Sequence, residues 1–461
     1  MRCFDVSTML LAALTILALL SGCAGDDDDS SQADDDTSDD DVSDDDTLAD
    51  DDATDDDADD DGSVYRPIVF VHGFLEDGDA FHAQAQRFAT NGYDLDRVFA
   101  VDYNTLWATP DAVDLIGGAI DDIRALTGAN DVDLIGHSMG GSMGADYLQL
   151  APAPNHVAHY AHVASFDFDT AGIDAPILNL SSEADMVVGE REIAGATNVV
   201  LPGLDHLQLA TSPETFEQLF TFFNGEPPAT LDIEPASPIT LSGRTLVFGT
   251  NDPAPAQIVR IFSVDPETGE RIEAEPVGEF TSGADGAWGP FDAEPDTHYE
   301  FEIRDAAGNW PAVRYYREPF LRSSRLAHFR VLPDFETTFA LPFKLLPLLG
   351  DRVAFATLNL NRAAIAGRDT FVVNGIDLGT DEVTPAEQSV LAAVFADLNF
   401  NEVTDGPILP GIVGLFPFFT IYDLYADPVA GEPISIEFNG RVLTIRGDEG
   451  PAGSLSIAQF D

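Results

Sequence analysis

The chain has 461 residues, more than one ordinary hydrophobic core organises, so two or three domains are expected. Asp and Glu number 82 against 21 Lys and Arg, and the formal net charge of −61 argues against nucleic acid as a partner, since phosphates would be repelled. The only cysteines are Cys3 and Cys23; if the first leaves with a leader, no disulfide can form within the mature chain.

Residues 9–20 form an apolar run preceded only by the charges of Arg2 and Asp5. The run is too short to span a bilayer and reads as the core of a signal peptide over residues 1–22. It ends Leu20-Ser21-Gly22-Cys23, which resembles the lipobox of bacterial lipoproteins. The resemblance implies cleavage before Cys23, lipidation of that residue, and a place in the cell envelope, at the outer membrane or cell surface. Residues 26–61 are mainly Asp triplets separated by Ser, Thr and Ala. Such a stretch has little to bury and repels itself, so residues 23–63 are expected to be a disordered tether. No glycine-bearing loop fixes its carboxylates, so loose ion condensation is expected there rather than a calcium site.

From 64 to 226 strands alternate with helices. Pro67-Ile68-Val69-Phe70-Val71 is an apolar run that reads as a central parallel strand and ends in His72-Gly73-Phe74. Residues 79–91 carry Phe81, Ala85 and Phe88 at helical spacing, stopped by Asn91-Gly92. A strand at 97–103 and a helix starting near Thr109-Pro110 follow, the helix facing inwards with Val113, Ile116, Ile120 and Ile123. The strand Val132-Asp133-Leu134-Ile135 then runs into Gly136-His137-Ser138-Met139-Gly140, the G-x-S-x-G pattern between a strand and a helix. A nucleophile lifted above a sheet needs a strained turn and close packing, and Gly136 and Gly140 have no side chains to clash there. This strand–helix order implies a right-handed, doubly wound, mostly parallel sheet.

The strand at 156–164 carries His156, His159 and His162. Period two puts His159 on the opposite face, which argues against a metal site. The apolar strand Ile177-Leu178-Asn179-Leu180 leads to a polar turn with Asp185; Glu183, Asp167 and Asp169 are rival acids. A last strand at 197–201 precedes Pro202-Gly203-Leu204-Asp205-His206, and Pro213 opens a closing helix.

Together these stretches resemble the α/β-hydrolase lipases and esterases. His206-Leu207-Gln208-Leu209-Ala210-Thr211-Ser212-Pro213 and Gly225-Glu226-Pro227-Pro228 are similar to two-domain bacterial and archaeal lipases with a β-rich C-terminal lipid-binding domain. The resemblance implies a carboxylester hydrolase with Ser138 as nucleophile, Asp185 as acid and His206 as base, in the hydrolase chain order. The backbone N–H groups of Phe74 and Met139 would form the oxyanion hole, with His72 a structural hydrogen bonder in that loop. It implies an ester or lipid substrate, no cofactor and no metal; a short lid is expected at 104–112. Polyester depolymerase, amidase and acyltransferase chemistry need the same residues and stay open, as does a non-catalytic binding role. The oligomeric state is not readable.

Beyond Pro227-Pro228 the pattern changes to short alternating strands, with turn signals at Asn374-Gly375 and Asn439-Gly440. A β-sandwich is expected at 227–316, and a second β-rich region, a candidate for lipid binding, at 317–461, packed beside it or merged with it. One helix is expected at 385–397, with Thr384 and Glu387 as a capping box. Asp397-x-Asn399-x-Asn401 mimics a calcium loop, but Glu402 and Ile408 stand where glycine and the last ligand belong, so that reading is rejected. The apolar runs at 341–349 and 409–425 read as core or, if exposed, as an acyl-chain platform.

Overall fold

The computed structural model describes residues 65–105, 111–308, 311–332, 353–386, 388–408, 418–447 and 454–461. The leader, Cys23, the Asp-rich stretch, most of the expected lid, the run at 341–349 and most of the run at 409–425 lie outside the described residues.

Six strands form one parallel sheet: β1 (Ile68–Val71), β2 (Val98–Val101), β3 (Val132–His137), β4 (Val157–Val163), β5 (Ile177–Ser181) and β6 (Thr197–Val200), in spatial order β2-β1-β3-β4-β5-β6. Among the described residues five α-helices accompany them: α1 (His82–Thr90), α2 (Ala112–Thr127), α3 (Met139–Leu150), α4 (Gln208–Thr211) and α5 (Pro213–Asn224). The period of two along β1 divides the core. Ile68 and Phe70 join the cluster under α1 and α5, with Phe81, Phe88, Phe216 and Phe220. Val69 and Val71 join the cluster under α2 and α3, with Ile116, Ile120, Met143 and Leu148. All four β1 residues are fully buried, which is why the strand reads as a continuous apolar run. Each such side chain contributes on the order of 2 kcal/mol of burial free energy.

Helix ends follow local chemistry. Asp111 caps α2 by accepting from the Val113 and Asp114 amides, and Gly128 closes it at φ 74°. Ser212 caps α5 by accepting from Thr215, with Pro213 in the first turn.

Beyond α5, the described residues are mainly β-structure. A three-stranded sheet (Ala287–Ala293, Ile239–Val247, Phe329–Val331) packs Trp288 and Phe329 against Phe301 of a nine-stranded sheet. A four-stranded sheet covers Phe355 and Phe395 of the nine-stranded one. The regions 227–316 and 317–461 contribute strands to the same large sheet. Its strand Val313–Arg317 crosses that boundary and pairs in parallel with Leu455–Phe460, which pairs in turn with Ala354–Asn359. The helix expected at 385–397 is corrected: Ala392–Ala396 is a strand bonded on both sides, to Ala354–Asn359 and Phe419–Asp423. Alanine-rich helix propensity is worth tenths of a kcal/mol per residue and loses to two ladders of sheet hydrogen bonds.

Candidate active site

The turn from β3 into α3 carries Ser138 at φ 54°, ψ −122°, outside the helical and extended regions. Such a conformation costs on the order of 1–3 kcal/mol and persists only where the surroundings hold it. Here the Ser138 amide donates to Val163 O at 2.9 Å, and Ser165 Oγ donates to Ser138 O at 2.5 Å. A Cβ on Gly136 would lie 2.4 Å from Gly140 O, and one on Gly140 would lie 2.1 Å from Val71 O. Val71 O belongs to β1 and Gly140 O to the first turn of α3, so neither can move without disturbing the sheet or the helix. Gly140→Ala should therefore lower stability by several kcal/mol, roughly 3 or more, read as a fall in Tm; an unchanged melting curve would show the turn to be slack.

The loop after β5 holds Asp185, and the loop after β6 holds His206, both buried. Asp185 Oδ2 accepts from His206 Nδ1 at 2.9 Å, while its Oδ1 accepts from the amides of Val187 and Val188 at 2.8 and 3.1 Å. Burial pushes the Asp185 carboxyl up, but the His206 hydrogen bond and charge and the two amides outweigh it and hold the pKa below the usual Asp value. That bond leaves Nε2 as the free face of His206. Of the rival acids, Asp167 and Asp169 are exposed, and Glu183 is exposed and accepts from the Gly203 amide. His206 lies against the elbow: its ring centroid is 4.7 Å from that of His137, the neighbour of Ser138. Ser138 and His206 form no hydrogen bond with each other; catalytic contacts of this kind commonly tighten only when substrate binds.

Across the elbow runs the loop after β1. A Cβ on Gly73 would sit 3.0 Å from the Ser138 Cβ, so this loop closes on Ser138. Its amides are partly spent: Gly73 donates to Glu76 Oε2 at 2.7 Å and Leu75 to Thr105 Oγ1 at 3.1 Å. Among the described residues the Phe74 amide and the Met139 amide, at the start of α3, have no acceptor. Two unpaired N–H groups flanking a serine, one at a helix N-terminus, suit a developing negative charge. His72 is fully buried, donates from Nδ1 to Gly73 O at 2.9 Å and accepts at Nε2 from the Tyr103 amide at 3.3 Å. Burial lowers its pKa, so the ring is a neutral brace for the loop.

The strand histidines are engaged separately: His156 with Asp131, His159 with Asp133, and His162 buried against Asn179. Sequence reasoning missed the groups that hold the loops. Glu76 Oε2 pairs with His137 Nδ1 at 3.0 Å. Asn251 Nδ2 donates to Glu76 O at 2.6 Å, Arg330 Nη1 to Leu75 O at 2.7 Å, and Arg368 Nη1 pairs with Asp205 Oδ2 at 2.7 Å beside His206. The last three come from the β-rich part, and no local signal marks them. His137 at least stands inside the motif.

A parallel sheet with a nucleophile-type elbow, an acid–imidazole pair in the following loops and two free amides define an α/β-hydrolase. Comparison with known proteins makes the assignment more specific. Residues 65–152 match the family model of lipase (class 2), and residues 237–333 match that of the lipase C-terminal domain. The chain thus has the two-domain architecture of lipases and esterases, and it is a carboxylic ester hydrolase. Solved structures similar to it include a lipase from Bacillus licheniformis, at 16% identity over 35% of this chain and 92% of that one, with a TM-score of 0.29. A carboxylesterase from Bacillus subtilis matches at 13% identity over 35% of this chain and 85% of that one, TM-score 0.27. A predicted hydrolase from Thermoplasma acidophilum matches at 22% identity over 34% and 85%, TM-score 0.27.

Proposed function

We propose that the protein is a serine hydrolase of apolar or lipid esters, working through an acyl-enzyme on Ser138. The observation that carries this reading is the Asp185–His206 hydrogen bond set beside the strained Ser138 turn. His206 Nε2 takes the Ser138 proton as Oγ attacks the ester carbonyl, and Asp185 holds the imidazolium that forms. The oxyanion accepts hydrogen bonds from the Phe74 and Met139 amides. His206 then protonates the leaving alcohol, and the acyl group stays on Ser138. A water that gives its proton to His206 attacks this ester, releasing the acid and restoring the hydroxyl.

An apolar substrate is supported by the rim of the site. Phe166 follows β4, and Met186 and Val187 follow Asp185; they are 52%, 55% and 37% exposed although large and apolar. Exposed groups of this kind on the catalytic edge of a sheet suit an acyl chain. The test is a fluorophosphonate probe followed by peptide mapping, with a panel of p-nitrophenyl esters of graded acyl length. Labelling at Ser138 with activity rising from short to medium chains is expected; labelling elsewhere, or none, would end this reading. Anchoring through a lipidated Cys23 completes the proposal and rests on the lipobox-like sequence. Cys23→Ala should move the protein from the membrane fraction to the soluble one on cell fractionation.

A further inference from the structure

His137 is the variable residue of the Gly136-His137-Ser138 motif, and its side chain is fully buried. Both of its ring nitrogens face acceptors. Nδ1 lies 3.0 Å from Glu76 Oε2, and Nε2 lies 3.1 Å from the carbonyl oxygen of His206. A carbonyl can only accept, so Nε2 carries a proton. A carboxylate can only accept as well, so Nδ1 needs a second one. The alternative places that proton on Glu76. Imidazole is the stronger base of the two, and the same Oε2 already accepts the Gly73 amide at 2.7 Å, which favours the ionised carboxylate.

We infer that His137 is held as an imidazolium between Glu76 and the His206 carbonyl, and that it is a positioning residue for the reaction. This rests on the reading of Ser138 and His206 given above. Three loops from separate parts of the sheet meet on this one ring. Glu76 belongs to the oxyanion loop and fixes it through Gly73. His137 belongs to the elbow. The His206 carbonyl belongs to the base loop. The cation therefore sets the distance from base to nucleophile and from nucleophile to oxyanion donors together. It also stands beside the His206 ring, centroid to centroid 4.7 Å, so the two imidazoles are placed together. The charged and titratable groups facing His137 are Glu76, His206 and Asp185.

The electrostatics agree in direction. Burial raises the Glu76 carboxyl, but the charge and hydrogen bond of His137 and the Gly73 amide bring it down to about 2. Burial lowers the His137 imidazole, but the Glu76 charge and hydrogen bond and the His206 carbonyl raise it above its ordinary value. The Glu76 share of stability is present above its unfolded value and is lost as pH falls through about 2. The His137 share is present below its unfolded value and is lost as pH rises through its raised folded value.

The test uses the full chain with ¹⁵N-labelled histidine, the ring signals being assigned by their loss in His137→Gln. Near pH 8, where a free imidazole is neutral, His137 should show protons on both nitrogens. A singly protonated ring would overturn the inference, and this readout needs no turnover. In Glu76→Gln the same ring should become neutral, with kcat falling roughly ten- to a hundredfold while KM changes little, because positioning rather than binding is lost. A Glu76→Gln enzyme of unchanged kcat would also overturn it. If that variant does not fold, the wild-type spectrum still decides. Fluorophosphonate labelling of Ser138 distinguishes a failure of this inference from a failure of the serine mechanism.

Discussion

Replacing Ser138 with alanine should lower kcat for p-nitrophenyl esters by about ten thousand- to a millionfold and leave the fold intact. Losing the nucleophile of a triad removes the covalent route altogether, and the residue of catalysis left by an oxyanion hole and substrate binding is roughly a thousandfold over water. The fold should survive because the Ser138 bonds that hold the elbow run through its backbone: its amide to Val163 and its carbonyl from Ser165 and Gly141. Alanine keeps both, and its Cβ fills the place serine's already occupies. Kinetics and a thermal melt on the same preparation check the two halves. A folded variant keeping more than about one per cent of activity would mean that another group attacks the ester. Asp185→Asn should cost less, about ten thousandfold, since the geometry remains and only the tautomer and the charge behind His206 are spoiled.

What was legible in the sequence and what was not divides by range. The elbow is a local event: an apolar strand, a sharp turn and a helix within twenty residues, with glycines where a Cβ would strike backbone. The alternation that builds the parallel sheet is local too, and Asp185 and His206 each follow a readable strand. The braces are not local. Glu76 meets His137 across 61 positions, Asn251 reaches back 175 to Glu76, and Arg330 spans 253 to Asp77. A lone arginine in a β-rich stretch carries no mark of the carboxylate it will find. The misread helix has a related cause: the stretch 392–396 takes its strand form from the two neighbours that bond it, and neither neighbour is adjacent in sequence. The pairing of Leu455–Phe460 between Val313–Arg317 and Ala354–Asn359 is of the same long-range kind.

Replacing Arg330 with methionine should lower stability by about 3–5 kcal/mol, the cost of leaving a buried carboxylate without its cation. In this very acidic chain, cations of the β-rich part are set against carboxylates of the hydrolase loops. Arg330 pairs with Asp77, Arg317 with Asp79, Arg244 with Asp102 and Arg368 with Asp205. Each of these four carboxylates is nearly or fully buried. Burial raises the Asp77 carboxyl, and the charges of Arg330 and His328 bring it down to about 2, so its share of stability is present above the unfolded value and is lost as pH falls through about 2. Without Arg330 the carboxyl must stay ionised unpaired or take up a proton, so the variant should unfold on raising the pH into the range where Asp is normally ionised. Arg330→Met combined with Asp77→Asn should recover most of the loss, because the penalty belongs to the orphaned charge and not to the missing bond. A chain ending at Gly225 is a different experiment. Its four carboxylates return to water and cost little, but the loop after β1 loses Asn251 and Arg330 and the loop after β6 loses Arg368. Whatever folds should therefore turn over at least about a hundredfold more slowly, since small displacements of catalytic groups cost that much. Full activity in that truncated chain would show that the β-rich part does not position the catalytic loops, and that the arginine contacts are passengers.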